Sequence, residues 1–147
     1  MTGITFRALI ASLVLIAGEA SGAPARLYER LGGADGVAAI AGELIDRVSS
    51  DPKLGRSFKD AKLERIKRLL AEQLCDLSGG HCGYSGDSMK EVHAGLHISE
   101  AEFFGMVADL RVVLRERHVS EGAVNELLRL LAPMKRDVVE PARTAAP

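Results

Sequence analysis

The chain has 147 residues, enough for one domain with a real hydrophobic core. Lys and Arg number 19 against 20 Asp and Glu, a formal net charge of -1, and 47% of the residues are apolar. With the charges near balance and scattered along the chain, there is no electrostatic footprint for nucleic acid or for an anionic membrane surface.

Residues 1–25 differ from the rest. Arg7 precedes the apolar run Ala8 to Ala17, and small residues follow it: Gly18, Ala20, Ser21, Gly22, Ala23, Pro24 and Ala25. A basic start, a short apolar stretch and an Ala-Pro-Ala exit are the marks of a secretory signal peptide, so export to the periplasm is expected. The apolar run is about half of the ~20 residues that span a bilayer, which argues against a stable membrane span. A buried first helix is the alternative, and the polar, Pro-containing exit opposes it.

The remainder reads as a series of short amphipathic helices with almost no strand signal, which makes the fold all-α. A short first helix lies near Leu27, Tyr28 and Leu31, and Gly32-Gly33 breaks the chain after it. Val37, Ile40, Ala41, Leu44, Ile45 and Val48 then fall at helical spacing, up to Ser49-Ser50-Asp51-Pro52, where Pro ends the run. Leu63, Ile66, Leu70, Leu74 and Leu77 form a second stripe, with Lys62, Glu64, Arg65 and Lys67 opposite, and it stops at Ser78-Gly79-Gly80. A loop through His81, Cys82 and Tyr84 leads to a short apolar segment, Met89 to Leu96. Ser99-Glu100-Ala101-Glu102 is a capping box and opens a helix with Phe103, Val107, Leu110 and Leu114 on one stripe. Ser120 caps a last helix with the stripe Val124, Leu127, Leu128 and Leu131, and Pro133 is expected to limit or kink it. Residues 141–147 read as a disordered tail.

There is no phosphate-cradling glycine loop, no HExxH and no nucleophile elbow. The residues that could carry chemistry are His81, His93, His97, Cys75 and Cys82. A histidine in an apolar segment is more often structural than a ligand. His93, however, sits among Met89, Val92, Leu96 and Ile98, where an imidazole nitrogen without a partner costs about 1–3 kcal/mol. Iron at the centre of a flat apolar macrocycle supplies such a partner. The two cysteines are free to form a disulfide in an oxidising compartment and stay thiols in the cytosol.

The order of features resembles the group I truncated haemoglobins. Leu27-Tyr28-Glu29-Arg30-Leu31-Gly32-Gly33 opens the domain, followed by Arg47-Val48, Asp51-Pro52-x-Leu54 and Phe58, then Gly79-Gly80, Tyr84-x-Gly86, Met89 and His93. The opening motif and the GG-x-x-x-Y-x-G-x-x-M-x-x-x-H stretch are specific together and weak apart. The resemblance runs from Leu27 to about Val139, which places the globin domain at residues 26–140. It implies a truncated globin, two helices packed over two around haem b, with His93 as the proximal iron ligand. By the same resemblance Phe58 wedges against the haem, Met89 packs on its proximal side, and Ile98 joins the lining. The partners it implies are a diatomic gas (O2, NO or CO) and an electron donor that the sequence does not identify. No Cys-x-x-Cys-His is present, so the sequence offers no c-type attachment.

The distal side departs from the family. Ile45 stands where relatives usually carry Tyr, and Ile66 and Leu70 hold the distal positions of the next helix, the latter often Gln. A gas ligand then lacks a hydrogen-bond donor from these three places, a loss of about 1–3 kcal/mol, so oxygen is expected to be released fast and NO or CO to be favoured. Nothing marks a general acid or base beside the iron. Turnover is therefore expected at most as NO dioxygenase or weak peroxidase activity, and the missing Tyr weakens the first. His97, four residues after His93, shares a face with it only if the segment stays helical, and a solvated His97 is the expectation. His118 is expected at the surface. Cys75 and Cys82 resemble a pair found in a subset of these globins. A bridge there would tie the end of the distal helix to the loop before His93 and contribute about 2–3 kcal/mol. The alternatives are a zinc module using Cys75, Cys82, His81 and His93 or His97, whose spacings fit no common finger, and a helical interaction domain without haem.

Overall fold

The computed structural model describes residues 25–140. Residues 1–24 of the leader expected over 1–25, and the tail expected from Pro141, lie outside them. Within this range the chain forms α1 (Leu27–Arg30), α2 (Gly33–Ser50), α3 (Leu63–Leu77), α4 (Met89–His93), α5 (Glu100–Glu116), α6 (Glu121–Leu131) and α7 (Lys135–Val138). Two 3₁₀ turns, Gly55–Phe58 and Ala132–Met134, complete it, and no strand occurs among the described residues.

Each boundary has a local cause. Gly32, with φ of 95°, turns the chain between α1 and α2. After α2, the Asp51 side chain accepts the amides of Lys53 (2.6 Å) and Leu54 (3.0 Å), and this turn feeds the Gly55–Phe58 3₁₀ turn. α3 closes where the Ser78 hydroxyl donates to the Leu74 carbonyl (2.6 Å). The capping box expected at Ser99 is present, and Ser120 accepts the Ala123 amide at 3.4 Å. Pro133 limits the last helix as expected, α6 ending at Leu131. It tightens one turn into 3₁₀ geometry, and α7 continues from Lys135.

α2 is the central element. Its buried side chains Val37, Ile40, Ala41, Leu44, Ile45 and Val48 face Leu74 and Cys75 of α3, Leu110, Val113 and Leu114 of α5, and Val124 and Leu127 of α6 in one core. Each fully buried Leu or Ile contributes about 1.5–3 kcal/mol. α2 packs on α3 and on α5, α5 on α6, and α1 bridges α2 and α6, giving the expected two-over-two arrangement. α1 is also tied to the far end of α3 by the Tyr28 amide donating to the Ser78 carbonyl (3.0 Å). The short α4 packs on α7, away from this core. No helix among the described residues is long and apolar enough to cross a membrane.

Candidate functional site

α4 has only five residues, and its direction is set at its start. Ser88 and Glu91 form a second capping box: the Ser88 hydroxyl accepts the Glu91 amide (3.3 Å), and Glu91 accepts the Ser88 amide (3.0 Å). The Ser88 hydroxyl (2.6 Å) and amide both donate to the Glu91 carboxylate and hold it below its ordinary range. One turn later His93 is half-buried, with Nδ1 at 2.7 Å from the Met89 carbonyl. A carbonyl only accepts, so Nδ1 carries the proton and donates, and Nε2 keeps its lone pair. A backbone carbonyl on the far nitrogen is the usual outer partner of a metal-binding imidazole, because it fixes both tautomer and ring orientation.

The loop before α4 is anchored on α3. The Ser85 amide (3.0 Å) and hydroxyl (2.5 Å) donate to Glu72, and these bonds, with Arg68, hold the Glu72 carboxyl down. The Tyr84 hydroxyl donates to the Asp87 carbonyl (2.9 Å), and burial pushes its phenol up. A Cβ on Gly86 would run into the Tyr84 ring, and one on Gly80 into the Tyr28 ring and the Cys75 sulfur, so these two glycines are spatial necessities, while Gly79 is required by its φ of 88°. Cys75, buried on α3, and Cys82, exposed in the loop, form a disulfide with Cα atoms 5.8 Å apart. Both sulfurs are thereby occupied, which removes the two thiolates that the zinc module needs. Among the described residues no group of three or more His, Cys, Asp or Glu is placed to hold a metal ion.

The apolar residues expected around the site divide into two sets. Ile45 is wholly buried in the core, and Phe58, Ile66 and Leu70 are half-buried against it. Met89 and His93 sit on α4, joined to α3 by the Gln73 side-chain amide, which lies 3.3 Å from the Met89 sulfur and 3.7 Å from that of Met134. Ile98 is half-buried beyond α4, with its carbonyl accepting the Glu140 amide (3.0 Å). α3 is strongly two-faced, yet Leu74 and Cys75 are its only buried residues; Leu63, Ile66, Leu69, Leu70 and Leu77 stay half-covered. Phe103, Met106 and Val107 on α5 are likewise half-covered. Incompletely buried apolar faces on α3 and α5, with one imidazole whose Nε2 lone pair is available, fit haem: the faces match a flat apolar disc, and a neutral imidazole suits its iron.

The remaining histidines stand apart. α4 ends at His93, and Gly95 (φ 77°) and His97 (φ 52°) bend the chain, so His93 and His97 do not share a helical face. His97 is exposed and pairs through Nδ1 with Glu140 (2.7 Å). His81 and His118 are exposed as well, His118 between α5 and α6 as expected. Sequence reasoning missed Gln73 and Arg56. Gln73 lies one turn beyond Leu70 on the same stripe, and that spacing pointed to it. Nothing around Arg56 in the sequence marks its partners.

Residues 26–140 match the family described as bacterial-like globin. A group 1 truncated hemoglobin from Synechocystis is 33% identical over 119 residues, covering 77% of this chain and 96% of that protein. Another, from Mycolicibacterium paratuberculosis, is 31% identical and covers 78% of this chain and 85% of its own. Among solved structures, the truncated hemoglobin of Tetrahymena pyriformis in its Fe(III) form superposes with a TM-score of 0.75 at 24% identity, covering 80% of this chain and 100% of that one. The 2/2 hemoglobin of Synechococcus, in the cyanomet state with covalently attached heme, gives 0.73 at 24% identity, covering 78% and 98%. At that identity the two structures speak for the fold.

Proposed function

The chain belongs to the group I truncated haemoglobins of the bacterial-like globin family, and from that premise we propose that it holds haem b on His93 and reversibly takes up a diatomic gas. The observation that carries this reading is the His93 Nδ1 bond to the Met89 carbonyl, which leaves Nε2 as a lone-pair donor in a chain whose α3 and α5 keep half-covered apolar faces. When bound, the iron supplies the gas-binding position. The protein's own residues do the rest: His93 holds the metal, Phe58, Met89 and Ile98 pack on the porphyrin, and apolar cover from α3 and α5 excludes water.

Ile45, Ile66 and Leu70 offer neither a hydrogen-bond donor to a gas nor a ligand atom to the metal. An uncharged diatomic such as NO or CO needs no such donor, whereas oxygen loses about 1–3 kcal/mol without one. The protein thus serves in NO or oxygen handling with fast oxygen release, and an electron donor keeps its iron reduced. The signal-like residues 1–25, together with the disulfide, support work in an oxidising compartment outside the cytoplasm.

Reconstitution with haem tests the proposal. A Soret band that shifts with CO and is lost in His93→Ala supports it, and tight zinc binding with no Soret band overturns it. Slow oxygen release from the reduced protein would overturn the gas preference alone.

A further inference from the structure

Arg56 lies in the 3₁₀ turn Gly55–Phe58, two residues before Phe58. Its guanidinium reaches a segment far along the chain. Nη1 donates to the Leu96 carbonyl (2.9 Å), and Nη2 donates to the His97 carbonyl (2.7 Å). Nε and Nη2 donate to the two carboxylate oxygens of Glu102, at 2.5 and 2.8 Å. A guanidinium alone among side chains carries a rigid fork able to make this set; the single ammonium of lysine is a point charge.

The segment it grips is irregular. Gly95 and His97 both occupy the left-handed region, so the chain between α4 and α5 has no helical ladder to satisfy its carbonyls. From the opposite side Glu140 holds the same stretch, accepting the Gly95 amide (2.5 Å) and donating its own amide to the Ile98 carbonyl (3.0 Å). Glu102 is fixed in turn, because its carboxylate accepts the amide of Ser99, the N-cap of α5 (2.8 Å). Its carboxyl is held down to about 2, chiefly by Arg56. Both partners of this pair therefore carry their charge around neutral pH.

The five residues of α4 cannot orient a ligand by themselves. One end is fixed by the Ser88 cap, and the other runs directly into the stretch that Arg56 grips, with the Leu96 amide donating back to the His93 carbonyl (3.1 Å). We propose that Arg56 is the positioning residue for the haem ligand, locking Leu96 and His97 and thereby the aim of His93. This rests on the haem reading above and adds a residue to it.

The full chain is reconstituted as wild type, Arg56→Ala, Arg56→Lys and Ser99→Ala. Two quantities are read: the iron–histidine stretching band of the reduced protein, and the rate of haem loss to an excess of apomyoglobin. Arg56→Ala is expected to shift or broaden the band and to speed haem loss about tenfold, the loss of hydrogen bonds to a charged group. Arg56→Lys, which keeps the charge but not the fork, gives an intermediate shift and serves where the alanine variant fails to fold. Ser99→Ala weakens the start of α5 without touching the carbonyl contacts of Arg56, so it lowers the apoprotein melting temperature and leaves the band in place. An unchanged band and loss rate in both Arg56 variants overturn the proposal while the haem reading stands. A wild-type chain without a Soret band overturns both.

Discussion

A single carbonyl, that of Met89, decides which nitrogen of His93 carries the proton. The spacing of Met89 and His93 made the pair visible in the sequence, as did Gly80 and Gly86, whose missing side chains make room for Tyr28, Cys75 and Tyr84. Gly80→Ala is expected to destabilise the fold by about 1–3 kcal/mol through that overpacking, read from denaturant midpoints. Gln73 was marked only by its place on the α3 stripe, and Arg56 was not legible, because its partners Leu96, His97 and Glu102 come from distant positions. Glu102 shows what such a partner does. Its folded carboxyl is held to about 2 against an ordinary 4.5, so the charged form is favoured by folding. That contribution is complete above the unfolded value and disappears as pH falls through the folded one. Wild type and Glu102→Gln should therefore differ in stability by a constant amount above about pH 5, with the gap closing as pH falls toward 2. A gap that does not depend on pH would show that the carboxyl is not held down.

The long helices were legible because their apolar stripes are strong: α2 ends where Asp51-Pro52 said it would, and α3 where the glycines begin. The short elements were not. α4 makes too little periodic pattern to reveal itself, and its capping box at Ser88 went unread although the identical arrangement at Ser99 was plain. Ser88→Ala is expected to cost about 1 kcal/mol of stability, and because α4 carries His93 it should also hasten haem loss, measured by transfer to an acceptor globin. The Cys75–Cys82 bridge closes a small ring between α3 and the loop. Reducing it is expected to lower stability by about 2–3 kcal/mol, read as a lower melting temperature with and without dithiothreitol, while leaving the helices intact. The resemblance raised this pair in the sequence, but only the placement of α3 against the loop brings the sulfurs together.

At the scale of the molecule the core is uneven. One end, where α2, α5 and α6 meet, is fully sealed, while α3 and the start of α5 keep their apolar faces half-covered. The apoprotein is expected to be the less stable form, with a melting temperature that climbs with haem concentration; at a thousandfold excess over the dissociation constant the gain is about 4 kcal/mol. A melting point indifferent to haem would contradict this.

The half-covered face of α3 has a further consequence. Hydrophobic contact is blind to the metal, so a macrocycle with an empty centre should still settle on Ile66, Leu70 and their neighbours, and His93 would contribute only the increment that iron adds. Titrating wild type and His93→Ala with metal-free protoporphyrin would expose this division, with both chains quenching the porphyrin's fluorescence alike. The fold would then select its guest first by shape, and only afterwards by element.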